Sequence, residues 1–436
     1  MTKRRNRIIF ISILAVIVIS FITILCIFLT RGDKLYKYSG RIYEDSYDFK
    51  DNYGYKYLKE KNEEQANLYE ELYLTMTDFS HRYLETDIKT CKHLFYKEDK
   101  NNNTLTQDEI SQVFIYINIE NPKFYWLTYD FDEDGLLQFG ICRRYSEKSV
   151  RKKNDKIINN GLKKVDKVLE GIEDEFDKIK AIYDYIVNNM KYAYDESGKP
   201  SEEQWAHNIL GFFERNEGVC ETYAKTFKLL CDRYNIKNIP VVSNDHIWNL
   251  VLYEEKWYIF DLTWDDGGYI YFGKTEKIYE IDSVDRESHE YDPLLYPLPD
   301  NMANTPLSFG IIDLKEDGNT IYSSHSMDSI FKHFNNGKYE IVLNKSEAEA
   351  LDNFYISYID SRYNTLTIFY NNGENKNAII NVEMDIYLNK DITFMNLYFN
   401  ARKGKKIILN GNTIYLKNIT FGTLVSIEGE NIVYLD

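Results

Sequence analysis

The sequence predicts an α+β fold whose strands fall into separate blocks, and three observations carry that prediction. Apolar residues recur at helical spacing over residues 150–190 and again over 220–231. Two runs rich in Ile, Trp, Val, Tyr and Phe, residues 246–253 and 256–262, flank the polar pair Glu254-Glu255 and read as a β-hairpin. From about residue 305 short strand-like runs alternate with Asn-Gly pairs at Asn336-Gly337, Asn372-Gly373 and Asn410-Gly411. With 436 residues the chain is longer than one core usually holds.

Taken in order, residues 1–7 form a basic tail with Lys3, Arg4, Arg5 and Arg7. Residues 8–30 follow without a charge, long enough for a transmembrane helix. The basic residues ahead of them argue for a single-pass anchor with its N-terminus inside and residues 31–436 outside. A cleaved signal peptide is the main alternative, but the apolar run exceeds an h-region and no A-x-A-like site follows. A lipoprotein reading of Cys26 meets Leu25 where a small residue is expected. Residues 31–55 read as a Tyr-rich, polar stalk.

Residues 56–149 read as an accessory lobe that packs on the core formed by residues 150–295, with helices over 56–80 and 106–118 and a strand over 124–129. Asp130-Phe131-Asp132-Glu133-Asp134-Gly135 matches the first six positions of a calcium loop, but Ile141 stands at position 12, where a bidentate Glu is required. A hairpin turn on Asp134-Gly135 is the better reading. Over 150–190 an amphipathic helix places Val165, Val168, Leu169 and Ile172 on one face. Ile179, Ile182, Tyr183 and Ile186 continue it after an acidic break.

Residues 150–295 hold the residues that could do chemistry. Gly218-Val219 precedes Cys220, which opens a helix with apolar positions 220, 223/224, 227 and 230/231. The sulfur therefore sits at a helix N-terminus, where unpaired N–H groups and the dipole favour a thiolate. His246 and Asp261 fall on the hairpin. If Tyr253 faces Lys256 across a two-residue turn, Asp261 lies opposite Trp248 and diagonal to His246, on one face; a one-residue slip separates them. Taken singly, each has an ordinary reading: Cys220 as a buried small hydrophobe, His246 as structural, Asp261 as a loop acid. Cys231 belongs to the buried face of the same helix.

Residues 305–436 form a β-rich region with a weak repeat. Ile386-Tyr387-Leu388 followed by Ile392-Thr393-Phe394 returns as Ile414-Tyr415-Leu416 followed by Ile419-Thr420-Phe421. An offset of 27 to 28 residues fits a β-solenoid rung, and a sandwich of short strands fits as well. His325 and His333 are isolated there and read as structural or solvated.

Setting aside the four basic residues of the tail leaves 49 Lys+Arg against 69 Asp+Glu, a net charge of −20. Such a surface disfavours nucleic acid as a partner. Beyond the apolar run stand Cys91, Cys142, Cys220 and Cys231. One is needed as a thiol, so at most one bridge is expected, Cys91–Cys142. No paired CxxC and no His-x-x-x-His occurs, so neither a metal nor another cofactor is expected.

Gly218-Val219-Cys220, His246-Ile247-Trp248-Asn249 and Asp261-Leu262-Thr263-Trp264-Asp265, in this order, resemble the transglutaminase-like superfamily, papain-related thiol enzymes. The resemblance extends upstream to residues 179–187 and Tyr192-Ala193-Tyr194-Asp195, and downstream to Tyr271-Phe272 and His289. It covers residues 150–295. It implies a papain/transglutaminase-like core, in which the Cys-bearing helix packs on an antiparallel sheet, and a Cys220/His246/Asp261 set acting on protein or peptide amides through a thioester. The oxyanion would take the Cys220 N–H and one donor among Tyr192, Tyr194, Gln204 and Trp205. Trp248 and Trp264 would wall the cleft. Water as acceptor makes a protease or amidase; an amine makes a cross-linking acyltransferase. The reading of a different class is a non-catalytic surface scaffold or adhesion protein that binds through this fold and the β-rich region.

Overall fold

The computed structural model describes residues 48–82, 105–131, 137–243, 245–265, 268–277, 289–290, 297–344, 353–371 and 377–436. The chain divides into two compact units between Lys163 and Lys164.

In the first unit, the periodicity over 56–80 resolves into two helices, α1 (Tyr53–Lys61) and α2 (Glu63–Arg82). The break is Asn62, whose extended backbone ends α1 and whose Oδ1 accepts from Glu64 N at 3.2 Å. Residues 48–55, expected as the end of a stalk, are folded: Phe49 is buried and stacks on Tyr73 at 4.2 Å. A capping box of Thr106 and Glu109 starts α3 (Gln107–Glu120). The strand expected over 124–129 begins only at Leu127, because Pro122–Phe124 forms a 3-10 turn ahead of it. β1 (Leu127–Phe131) and β2 (Leu137–Ile141) pair antiparallel, so the calcium-like segment joins strands, where a calcium loop needs helices. Residues 132–136 lie outside the described residues, as does Cys91 of the expected bridge. α4 (Lys148–Leu169) spans the boundary between the units.

In the second unit, α5 (Glu175–Asn189) is capped by Asp174, which accepts from Asp177 N at 3.0 Å. Val165, Leu169, Ile179, Ile182, Tyr183 and Ile186 are buried as expected, but Val168 is 45% exposed. Ile158, Leu162, Val165 and Leu169 set the buried face of α4 at i, i+4, i+7 and i+11, and Val168 falls off its edge. β3 (Lys191–Tyr192) runs parallel to β4 (Glu217–Gly218), which leads into α6 (Cys220–Arg233). This helix packs on the antiparallel sheet of β5 (Asn238–Val242), β6 (Ile247–Tyr253) and β7 (Lys256–Phe260). Tyr253 pairs with Lys256, the register that the His246 and Asp261 placement requires.

The turn of that hairpin uses Glu254 at φ 46° and Glu255 at φ 67°, two left-handed residues in positions that Asn-Gly usually fills. Residues further along the chain hold it. Tyr322 OH and Ser324 Oγ donate to Glu254 at 3.0 and 2.5 Å, and Lys332 Nζ donates to the Glu254 carbonyl at 3.2 Å.

A mixed helix and sheet fold thus carries a large β-rich C-terminal region. Its elements are β8 (Ile312–Glu316), β9 (Asn319–Ser324), α7 (Met327–Lys332), β10 (Gly337–Asn344), β11 (Asn353–Ile356), β12 (Tyr363–Asn371) and β13 (Ala378–Val382). There follow β14 (Ile386–Tyr387), β15 (Ile392–Asn400), β16 (Lys405–Ile408), β17 (Ile414–Phe421), β18 (Val425–Glu428) and β19 (Ile432–Tyr434). A nine-stranded sheet holds most of them, and β14, β16 and β18 form a second, three-stranded parallel sheet. The repeat has a different step from the one expected. Ile392-Thr393-Phe394 lies beside Ile414-Tyr415-Leu416, and Ile386 beside Ile407, a step of 22 and 21 residues. Buried isoleucines align at that step, whereas Ile386 and Ile414 belong to different sheets. Asn396 and Asn418, both left-handed, bend neighbouring strands at one level, Asn418 Nδ2 donating to Asn396 Oδ1 at 3.0 Å.

The expected membrane topology is corrected. Among the described residues no helix is long and apolar enough to cross a membrane. The longest, α4, has lysines through its length. Residues 8–30, where the span was expected, lie outside the described residues.

Candidate active site

The start of α6 is fixed from below. A Cβ on Gly218 would lie 2.4 Å from Thr222 Cβ and 2.7 Å from Met190 Cε, so only glycine fits there. Thr222 Oγ1 then donates to the Ala206 and Asn208 carbonyls at 2.6 and 3.1 Å, and Val219 N donates to Ala206 O at 2.9 Å. Cys220 follows as the first helical residue, half-buried. Glu221 beside it is matched by Lys225 Nζ at 3.0 Å. Burial opposes its ionisation, but the Lys225 and His207 charges hold its carboxyl down at about 2.

His246 sits in the connection between β5 and β6, where its N–H donates to Ser243 Oγ at 3.0 Å and its carbonyl accepts from Ser243 N at 2.9 Å. Its Nε2 lies 2.6 Å from Asp261 Oδ2, and Cys220 stands near enough to favour the charged imidazole. With Nε2 held by the carboxylate, Nδ1 is the ring nitrogen left for the sulfur. Burial disfavours the imidazolium, but the Asp261 charge and hydrogen bond, with a smaller effect of Cys220, outweigh it and push His246 up to about 10.

Asp261 is fully buried at the end of β7. Its Oδ1 accepts from Thr263 N and Trp264 N at 3.0 and 3.2 Å. Its Oδ2 accepts from His246 and from His289 Nε2, the latter at 2.8 Å. Burial would raise this carboxyl, but the His246 charge and the imidazole hydrogen bonds hold it at about 2.

Asn249 ties the hairpin to the Cys220 helix, donating to the Ala224 carbonyl at 3.1 Å and to Asn238 Oδ1 at 2.8 Å. Asp265 is buried too and takes Tyr183 OH together with Tyr271 N at 2.9 Å. Burial pushes its carboxyl up to about 7 against the Tyr183 and Tyr271 bonds.

Residues 163–262 match the family profile of the transglutaminase-like superfamily. The chain carries a transglutaminase-like domain. Over 157 residues it is 22% identical to the kyphoscoliosis peptidase of Mus musculus, a stretch that covers 32% of this chain and 23% of that protein. It thus spans about a quarter of that relative's length. Among solved structures, a TGase overlaps 31% of this chain and 43% of its own at 17% identity and a TM-score of 0.22. Menin overlaps 36% and 32% at 14% identity and a TM-score of 0.21.

Within the transglutaminase-like domain the four oxyanion candidates separate. Tyr192 pairs with Gly218 in the β3–β4 ladder, and both Tyr192 and Trp205 pack on the cluster of Ala193, Ala206 and Val219. Burial and the nearby Cys220 charge push the Tyr192 phenol up to about 12. Tyr194 is 63% exposed, its ring 5.0 Å from that of Tyr192, and Gln204 is exposed in the turn before Trp205. Of the two tryptophans expected to wall a cleft, Trp248 is buried and backs His246 with ring centroids 5.9 Å apart, while Trp264 is half-buried and meets His246 edge-on at 6.0 Å.

His246, Asp261 and His289 also form a trio of ligating atoms within 4.8 Å of one another. The N···O separations of 2.6 and 2.8 Å are those of hydrogen bonds. They are shorter than the edge of about 3.3 Å between ligands of a tetrahedral zinc, so the trio does not fit that ion as it stands. The contact of His289 with Asp261 was not foreseen: the sequence placed His289 downstream with no partner.

Proposed function

We propose that this protein is a thiol enzyme that transfers acyl groups from protein or peptide amides through a Cys220 thioester. The observation that supports the reading is the buried His246–Asp261 pair at 2.6 Å, with Cys220 near enough to favour the charged imidazole. Cys220 sulfur attacks the amide carbonyl carbon, and the carbonyl electrons move to oxygen. As the tetrahedral intermediate collapses, the C–N bond breaks and His246 gives its proton to the leaving amine. Water or an amine then attacks the thioester, His246 takes its proton, and the thiolate leaves. Asp261 keeps the imidazole on the tautomer that offers Nδ1 to sulfur and balances its positive charge. The Cys220 backbone N–H and either the Tyr192 phenol or the Trp205 indole N–H suit the oxyanion, since both side chains lie against the start of α6. The parallel strands beyond residue 386 we read as β-solenoid rungs with a binding role.

The test compares the protein with its Cys220→Ala variant on a glutamine-containing protein, following ammonia release, primary-amine incorporation and peptide-bond cleavage. Amine incorporation lost in the variant identifies a cross-linking enzyme, and cleavage alone identifies a protease. Equal signals from both proteins in all three assays would refute the thiol mechanism.

A further inference from the structure

We infer that His289 is a positioning residue of this site: its Nε2–H donates to Asp261 Oδ2 and fixes the carboxylate that aims His246. The inference rests on the acyl-transfer reading for its purpose, but the geometry stands without it. The His289 side chain is wholly buried, and its Nε2 reaches the same oxygen as His246 does, at 2.8 Å. The two imidazole planes cross at 81° with centroids 5.0 Å apart, so the donors reach Oδ2 from nearly perpendicular planes. Aromatic rings pack around His289. Tyr271 stacks on it at 5.6 Å and 14°, and Trp248 and Trp264 lie at 4.8 and 5.7 Å.

A hydrophobic ring would fill that space without the desolvation cost of an imidazole. The hydrogen bond to an ionised carboxylate offsets that cost, being of the stronger, charge-assisted kind. It also completes the carboxylate: Oδ1 is held by Thr263 N and Trp264 N, Oδ2 by two imidazoles. With four donors fixed, Asp261 is held in one orientation as the carboxylate. Without His289, Oδ2 keeps His246 as its only imidazole donor, and the carboxyl takes a proton at higher pH, releasing His246. Among the described residues, the titratable groups that face this set include Cys220, Asp265, Tyr183 and Tyr271.

The experiment follows the His246 ring of the full-length protein, labelled with ¹⁵N-histidine, by NMR from pH 1 to 8, and amide cleavage and amine incorporation over the same range. Three proteins are compared: wild type, His289→Phe, which retains the ring volume, and His289→Gln, whose amide restores a donor. In His289→Phe the step at which His246 loses its Asp261 partner moves upward by about one pH unit, and the acid limb of kcat/KM moves with it. His289→Gln restores both. An unchanged His246 titration in a folded His289→Phe protein overturns the inference, because packing alone would then explain His289. The NMR step reports on the clamp whether or not the protein turns substrate over. A wild type that shows the step but neither cleaves amides nor incorporates amine refutes the acyl-transfer reading and leaves the clamp standing.

Discussion

Asn249 Nδ2 donates to the Ala224 carbonyl at 3.1 Å, so the strand beginning one residue after His246 is bonded directly to the helix that begins with Cys220. The bond ties the segment that follows the imidazole to the helix that bears the thiol. Its partners are buried, and the second donation, to Asn238 Oδ1, holds the amide in place. Asn249→Leu strands the Asn238 acceptor and costs about 2–4 kcal/mol in chemical denaturation. Thiol reactivity at Cys220 falls further than stability does; an unaltered alkylation rate in the folded variant would show that the tie does not set the site.

The His246–Asp261 pair makes stability depend on pH in two windows. His246 is raised from 6.5 to about 10, so its contribution is complete below about pH 6.5 and is lost as pH rises through 10. Asp261 is lowered from 3.8 to about 2, so its contribution is complete above about pH 4 and is lost as pH falls through 2. Tm of the wild type, relative to Asp261→Asn, therefore declines from pH 7 to pH 10. A constant difference over that range rules the coupling out.

Asp265 works in the opposite sense to Asp261. Its carboxyl is raised from 3.8 to about 7, so the native state binds this proton more tightly and loses stability as pH climbs from about 4 to 7. Asp265→Asn keeps an acceptor for Tyr183 and a side chain of the same size. Its Tm, compared with wild type, improves between pH 5 and pH 8. If the two proteins track each other across those values, Asp265 is ionised throughout.

Tyr192→Phe and Trp205→Phe separate the two oxyanion candidates. Removing the donor that serves lowers kcat about 100-fold with little change in KM. The other substitution leaves kcat within a few-fold. Equal, small losses in both would assign the second donor elsewhere.

Much of the site was legible because its signals are local. Cys220 at the head of a helix follows from the spacing of Tyr223, Ala224, Phe227, Leu230 and Cys231, all buried. The His246–Asp261 approach follows from a two-residue turn at Glu254-Glu255, since register alone decides which side chains share a face. What escaped were relations that sequence proximity does not encode. His289 reaches Asp261 across 28 residues, and Tyr183 reaches Asp265 across 82. The C-terminal step was misjudged for a related reason: residues 386–388 and 414–416 look alike as Ile-Tyr-Leu, yet the sheets align strands by buried position, pairing Ile392 with Ile414. Asn62 divided a helix that apolar spacing alone presented as continuous.

The Glu254-Glu255 turn carries two left-handed residues that L side chains adopt at a cost of about 1–2 kcal/mol each. Asn301, Tyr322, Ser324 and Lys332 hold it, and Tyr258 on β7 is tied to Ser326 at 2.6 Å. The hairpin that aligns imidazole and carboxylate is therefore braced by chain beyond residue 300. In a cell the emerging polypeptide would carry its cysteine while its histidine and aspartate were still unaligned. Whatever chemistry Cys220 has, its imidazole and carboxylate are aligned with the help of residues synthesised after it.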